Sequence, residues 1–134
     1  MNVQPYLFFD GSCEEALNFY REALGAEVSG VMRFKDAPDQ SMVPPGSGDK
    51  VMHASFRIGD THVLATDGRA QGHPSFHGFG LVLNAANEPE ARRLFEALAD
   101  NGKVTMQLAK TFFSPCFGMV TDRFGVQWMV NTAE

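Results

Sequence analysis

The chain has 134 residues, of which 44% are hydrophobic and 20% are charged, and its net charge is -5. This length and composition fit one globular domain that builds its core without disulfides or metal. Its lysines and arginines are scattered, which argues against a nucleic-acid partner because phosphate binding needs a basic surface. No apolar run is long enough to span a membrane and no signal segment precedes the first strand, so we expect a cytoplasmic protein without a membrane partner.

The first half of the chain predicts the order strand, helix, strand, strand, strand. The run Val3–Phe9 is aromatic-rich, which is typical of a strand buried on both faces. Ser12 and Glu15 have the spacing of a capping box, which predicts the start of the first helix, and Gly25 predicts its end. Three strand-like segments follow, with a hairpin signal at Gly59-Asp60, and they are Glu27–Phe34, Val51–Ile58 and Thr61–Thr66.

The second half predicts the same order of elements after a long loop and a joint. The segment Lys35–Lys50 is rich in proline and glycine, and loops of this length are often functional lids or mobile segments. Asn87 is expected to cap the second helix, with Pro89 in its first turn and Gly102 at its end. The predicted strands and helix of this half are 77–83, Glu88–Asp100, Lys103–Ala109, Cys116–Asp122 and Val126–Asn131.

The two halves also repeat one another in sequence, at an offset of about 75 positions. The recurring pairs are Phe9-Asp10 with Leu83-Asn84, Glu15-Ala16 with Glu90-Ala91, and Phe19–Leu24 with Leu94–Leu98. A duplicated open sheet must bury one face against another element, which favours a pocket within or between the halves. We therefore predict an α+β fold of two tandem βαβββ modules that form curved, cup-like mixed sheets. The predicted boundaries within one domain are module one 1–67, joint 68–76 and module two 77–134.

Several segments carry a resemblance to a known family. They are Pro5–Gly11, the helix ending Phe19–Gly25, Lys103–Met106 and Gly118–Met129, which contains the turn Asp122–Gly125. Over nearly the whole chain they resemble the PhnB-like branch of the vicinal oxygen chelate superfamily, which includes glyoxalases, ring-cleaving dioxygenases and bleomycin resistance proteins. The resemblance implies a glyoxalase-like fold and a homodimer whose second subunit closes the cup. Some members of this branch carry a ubiquinone-methyltransferase label, but this chain has no glycine-rich strand-to-helix turn for a methyl donor.

The resemblance also places the four side chains that hold a divalent metal in enzymes of this superfamily. The first-strand positions fall on Pro5 and Gly80, and the last-strand position falls on Met129. The matching strand of the first copy offers only the apolar residues 63–65. A divalent ion requires imidazole or carboxylate ligands at these points. We therefore expect the inherited metal site to be absent, and we predict no cofactor.

Four histidines leave a second hypothesis open, a metal-dependent lyase or dioxygenase that uses His53 and His77 at shifted positions. His73 and His77 have a spacing that permits chelation, but histidines at loops and strand starts usually face solvent. His53 and Arg57 alternate with apolar residues and share the polar face of a predicted strand. If that face looks into the cup they bind an anionic ligand, and if it looks outward they are surface residues.

The two cysteines, Cys13 and Cys116, are too few for a disulfide framework and lack the spacing of a zinc site. Cys13 falls in the first turn of helix one, where the helix dipole lowers the pKa of a thiol. A cysteine nucleophile also needs a neighbouring base, and the sequence shows none. We interpret Cys13 as an unreactive thiol.

Our preferred prediction is a protein of the PhnB-like branch that binds a small apolar or aromatic molecule in the cup without a metal. It depends on the apolar residues at the expected metal positions and on methionines and aromatic residues that suit an apolar pocket. The sequence leaves open whether any reaction is catalysed, and it identifies no catalytic residue. The predicted ligand contacts are Phe9, His53, Met106, Phe112 and Met129.

Overall fold

The computed structural model describes residues 1–43, 45–68 and 72–132, and these residues form two compact units, Met1–Pro74 and Ser75–Glu134. In the described residues each unit has one α-helix and one open sheet of four strands. The predicted α+β fold of two tandem βαβββ modules is confirmed. The units divide within the predicted joint, of which 69–71 lie outside the described residues, and the prediction of one domain remains a prediction.

The first unit has the strand order β1-β4-β3-β2, with β1 and β4 parallel and the other pairs antiparallel. Its elements are β1 (Tyr6–Phe8), α1 (Cys13–Leu24), β2 (Glu27–Arg33), β3 (Val51–Ile58) and β4 (Thr61–Thr66). Helix α1 covers one face of the sheet, where the Tyr20 ring stacks on Phe56 with centroids 5.6 Å apart. Ala54 shares this face with Phe56, and both side chains are fully buried. The alternate residues of β3 therefore lie on the opposite face.

The second unit repeats this arrangement with the strand order β5-β8-β7-β6. Its elements are β5 (Leu81–Ala85), α2 (Glu88–Ala99), β6 (Lys103–Ala109), β7 (Cys116–Thr121) and β8 (Gln127–Thr132). Helix α2 lies so close to β7 that a Cβ atom at Gly118 would come within 2.7 Å of the Phe95 ring. Trp128 and Val130 lie on the same side of the sheet as Gly118 and are buried. Trp128 therefore packs on the helix side of the sheet, and its neighbour Met129 lies on the opposite side.

Helix α1 begins in a different way from the prediction. The Ser12 side chain makes no capping hydrogen bond, so the predicted capping box with Glu15 is wrong. The buried carboxylate of Asp67, just after β4, instead accepts hydrogen bonds from the amides of Gly11 (2.6 Å) and Cys13 (3.0 Å). It also accepts a hydrogen bond from the amide of Val51 at the start of β3. A residue distant in sequence thus satisfies the helix start, and local spacing cannot reveal it.

Helix α2 begins as predicted, because the side chain of Asn87 accepts a hydrogen bond from the amide of Glu90 at 2.9 Å. Its end differs from the prediction: the cap is Asp100, and the left-handed residue is Asn101, with φ 59°. Gly102 is required for another reason, because its backbone lies against the carbonyl oxygen of Thr121. In the parts of the chain that the structure describes, no helix is long and apolar enough to cross a membrane.

Two other predictions need adjustment. The first strand is shorter than the predicted Val3–Phe9, because only Tyr6–Phe8 pair with β4. The strand predicted to end at Phe34 ends at Arg33, and a short 3-10 turn, Phe34–Asp36, leads into the predicted loop Lys35–Lys50, which contains a second one, Gln40–Met42. The hairpin at Gly59-Asp60 and the turn ending at Gly125, with φ 91°, are present as predicted.

Candidate functional site

The open face of the first sheet, defined as the face away from α1, carries the polar alternation of β3. His53, Ser55 and Arg57 lie on this face because Ala54 and Phe56 face the helix. Cross-strand pairing places Leu64 beside Ser55, and Tyr6 beside Leu64. His53 and Arg57 therefore lie on the face away from α1. Whether they can bind a ligand depends on what covers this face.

Tyr6 and His53 form a hydrogen-bonded pair on this open face. The Tyr6 hydroxyl lies 2.9 Å from Nδ1 of His53, and the two rings meet edge to face with centroids 5.7 Å apart. The Phe8 ring is edge to face with Tyr6 at 5.2 Å, and both side chains are 41% exposed. His53 was predicted as a site residue but Tyr6 was not, because their pairing joins β1 to β3 across β4 and cannot be inferred from sequence spacing.

Arg57, the other cation considered for ligand binding, is already engaged. Its guanidinium donates a hydrogen bond to the carboxylate of Glu27, its cross-strand neighbour on β2. It also donates to the carbonyl oxygen of Gly59 at 2.8 Å. The positive charge is therefore balanced at the surface. His62, its partner on β4, is exposed.

The open face of the second sheet, away from α2, is apolar along one complete row. Cross-strand pairing aligns Val82, Met129, Met119 and Met106 across all four strands. Val82 is 50% and Met106 is 40% exposed, and the two central methionines are partly exposed. We name these four residues the methionine row. Three flexible thioether side chains on one sheet face form an adaptable apolar surface.

Beside the methionine row lies a second row with aromatic and amide groups. Asn84, Asn131 and Phe117 are aligned across β5, β8 and β7. The Asn131 amide donates a hydrogen bond to the Asn84 side-chain oxygen at 3.1 Å. Phe117 is edge to face with Phe113 at 5.0 Å. This row therefore offers both polar and aromatic contacts next to the apolar surface.

The turn before β7 presents two phenylalanines to solvent. Phe112 is fully exposed and Phe113 is 58% exposed, and their rings are edge to face at 5.2 Å. The Thr111 hydroxyl accepts hydrogen bonds from the amides of Phe113 and Ser114, which fixes the turn. An exposed aromatic pair on a hydrogen-bonded turn is costly to hydrate and suits a binding role.

The five predicted ligand contacts therefore have different environments. Met106 and Met129 lie on the methionine row, and Phe112 lies on the aromatic turn of the same unit. His53 lies on the open face of the first sheet. Phe9 is only 1% exposed, in phase with buried Leu7, and Tyr6 and Phe8 occupy the open face instead. As ligand contacts, these five residues remain predictions.

The residues at the superfamily's metal positions do not fit a metal. The side chain of Pro5 has no donor atom, and Gly80 has no side chain. Met129 and the apolar residues 63–65 lack an imidazole or a carboxylate. Within 1–43, 45–68 and 72–132, no group of three or more His, Cys, Asp and Glu side chains could hold a metal ion. The alternative metal site was predicted to use His53 and His77. In the structure, Nδ1 of His77 lies 2.7 Å from the hydroxyl of Ser75.

An ion pair and a thiol lie near the start of α1. Asp10 accepts a hydrogen bond from the Lys50 ammonium at 2.7 Å, and this bond lowers the pKa of Asp10 and raises that of Lys50. His73 also lowers the pKa of Asp10 through its charge. Burial raises the pKa of the Cys13 thiol to about 12, and the charges of Asp67 and Glu14 add to this effect. The expected lowering by the helix dipole is outweighed, and Cys13 is a weak nucleophile.

Comparison with known proteins identifies the family. Residues 1–131 match the family model described as 3-demethylubiquinone-9 3-methyltransferase. The protein YjdN of Escherichia coli K12 is 36% identical, and the alignment covers 100% of this chain and 97% of YjdN. The crystal structure of PA1353 from Pseudomonas aeruginosa is 40% identical with a TM-score of 0.88, and the match covers 98% of this chain and 97% of PA1353.

Two further structures extend the likeness. A PhnB protein from Bacillus cereus is 27% identical with a TM-score of 0.83, and the match covers 99% of this chain and all of that one. The fosfomycin resistance protein FosX of Listeria monocytogenes, at 10% identity and a TM-score of 0.69, shares the fold over 100% of this chain and 92% of its own. The chain therefore belongs to the PhnB-like, 3-demethylubiquinone-9 3-methyltransferase family, within the vicinal oxygen chelate superfamily.

Proposed function

We propose that the protein binds a small apolar or aromatic molecule on the open face of its second sheet, and that it does so without a metal. The observation that carries this proposal is the methionine row, which leaves Met106 and Val82 at least 40% exposed on the two edge strands of the sheet, with Met119 and Met129 partly exposed between them. Leaving apolar area in water costs about 25 cal/mol per Å², so such a face gains free energy when a ligand covers it. The aromatic turn at Phe112 and Phe113 adds flat contact area beside it.

The family description names a methyltransferase, but the two strand-to-helix turns do not support that activity here. The amides of Gly11 and Cys13 at the start of α1 donate to Asp67, so they are not available to a cofactor phosphate or carboxylate. The start of α2 contains no glycine and is capped by Asn87. We therefore do not propose methyl transfer.

The second candidate, a metal-dependent lyase or dioxygenase with His53 and His77, has less support. His53 has one ring nitrogen engaged by Tyr6, and His77 has one engaged by Ser75. A mutant of the fosfomycin resistance protein FosX has been crystallised with Mn(II) and a dihydroxypropylphosphonic acid, but its 10% identity makes it a guide to the fold alone. The homodimer, which the family resemblance implies, and the cytoplasmic location, which the apolar pattern of the sequence suggests, also remain predictions.

The methionine row predicts a specific loss of binding. We expect the double variant Met119→Gln, Met129→Gln to bind naphthalene and indole about tenfold more weakly than the wild type, because glutamine keeps the length but loses about 1.4 kcal/mol of apolar contact. Isothermal titration calorimetry measures the dissociation constants. The control is Val31→Gln, which alters an apolar residue on β2 of the other sheet whose exposure, 41%, is close to the 40% of Met106. Unchanged affinity in the double variant, or an equal loss in the control, would contradict the proposal.

A further inference from the structure

The Tyr6–His53 pair joins an ordered hydrogen bond to an exposed aromatic surface. The sheet fixes both residues, since Tyr6 is held by parallel pairing with Leu64 and His53 lies opposite Met32 on β2. Tyr6 and Phe8 present two edge-to-face rings on the same strand. This combination of a polar pair and flanking rings differs from the apolar methionine row.

The hydrogen bond to Nδ1 determines what His53 offers to a ligand. Nδ1 lies 2.9 Å from the Tyr6 hydroxyl, and within the described residues Nε2 has no hydrogen-bond partner. If Nδ1 carries the proton and donates to Tyr6, Nε2 is an acceptor; if Tyr6 donates, Nε2 carries the proton and is a donor. Because the pair can exchange these two states, Nε2 suits a ligand group that either donates or accepts.

We propose that Tyr6 and His53 form a hydrogen-bonding anchor for the hydroxyl group of a phenol-type ligand. The neutral phenol donates to Nε2 of the neutral imidazole, and the phenolate accepts from Nε2–H. In both cases the aromatic ring of the ligand covers Phe8 and Tyr6, whose rings favour edge-to-face and offset contacts. The same geometry gives an aromatic hydrocarbon or ether no group that donates to Nε2.

The inference rests on the proposed function only in that the ligand is aromatic. It names a different surface and a different contact, because the methionine row offers no imidazole or phenol. The two ideas can therefore fail separately.

The test compares 4-nitrophenol with 4-nitroanisole, which has a similar ring and a methyl ether in place of the hydroxyl. We expect the wild type to bind 4-nitrophenol at least fivefold more tightly than 4-nitroanisole, the effect of about one hydrogen bond. In His53→Leu, which has no ring nitrogen, this ratio should fall to about one, and in Tyr6→Phe, which keeps Nε2 but removes the partner of Nδ1, it should fall part of the way. The absorption spectrum adds a second measurement, because neutral and ionised nitrophenol absorb at different wavelengths. The ratio of neutral to ionised nitrophenol in the bound state should change in both variants.

His62→Leu is the matched control, since His62 is an exposed histidine in register with Arg57 on the same sheet. It should keep the wild-type ratio. Circular dichroism of each variant shows whether the fold is intact, and Tyr6→Phe keeps the ring contact with Phe8. Equal binding of the two probes by the wild type would overturn this inference while leaving the proposed function intact. If neither probe binds, the inference is overturned, and loss of binding to naphthalene and indole as well would overturn the proposed function.

Discussion

Replacing Asp67 by alanine is expected to lower the free energy of unfolding by about 3–5 kcal/mol. The Asp67 carboxylate is 5% exposed and accepts hydrogen bonds from the amides of Gly11, Cys13 and Val51. Alanine leaves these amides without their charged acceptor and removes the link between the start of α1 and the start of β3. The loss should exceed that of a surface substitution by several kcal/mol.

Urea denaturation followed by circular dichroism measures this loss. Asp60→Ala is the control, because Asp60 is an exposed aspartate in the β3–β4 hairpin. Asp67→Asn should give an intermediate loss, since one amide oxygen can still accept hydrogen bonds but the charge is gone. A loss below about 1 kcal/mol for Asp67→Ala would show that α1 does not depend on this carboxylate.

The second large effect is expected for Gly102→Ala, which should cost about 3 kcal/mol. A Cβ atom at this position would meet the carbonyl oxygen of Thr121 and would lie 3.0 Å from the carbonyl oxygen of Leu98. Both contacts are with backbone atoms, which cannot move aside without disturbing β7 or the end of α2. The strain therefore falls on the backbone instead of on a side chain that can change rotamer.

Gly48→Ala provides the comparison for this substitution. Its Cβ would lie 3.6 Å from the Cβ of Lys35, an ordinary contact, and the backbone there does not have a positive φ. Thermal denaturation of both variants should show a large decrease in melting temperature for Gly102→Ala and little change for Gly48→Ala. Similar melting temperatures for the two variants would mean that the backbone around Gly102 and Thr121 adjusts to the added Cβ atom without a loss of stability.

The fold could be predicted from local patterns because each element has its own signal. Polar and apolar residues alternate in β3, short apolar runs mark β4, β7 and β8, Asn87 marks the start of α2, and the repeat shows that one unit occurs twice. The position of the start of α1 was predicted from Ser12, but the group that caps it could not be, because its acceptor Asp67 comes from a strand end far along the chain. The role of Gly102 was missed for the same reason, since Thr121 reaches it only through the folded sheet.

The candidate site was predicted only in part. The phase of β3 showed that His53 and Arg57 share a face, but sequence does not show that Tyr6 comes within hydrogen-bonding distance of His53. The methionines were recognised as apolar surface, yet their alignment in one row depends on the register of four strands. Phe9 was selected over its neighbour Phe8 because the sequence gives no phase for so short a strand.

The most direct test of metal-free binding is elemental analysis of the purified protein, combined with thermal denaturation in the presence of naphthalene, indole or 4-nitrophenol. For the thermal denaturation, the purified protein is treated with EDTA, and each compound is then added with and without Mn²⁺. We predict far less than one metal ion per chain and the same rise in melting temperature under both conditions. Nearly one bound metal per chain, with a ligand-dependent rise only when Mn²⁺ is present, would contradict the account and support the metal-dependent enzyme.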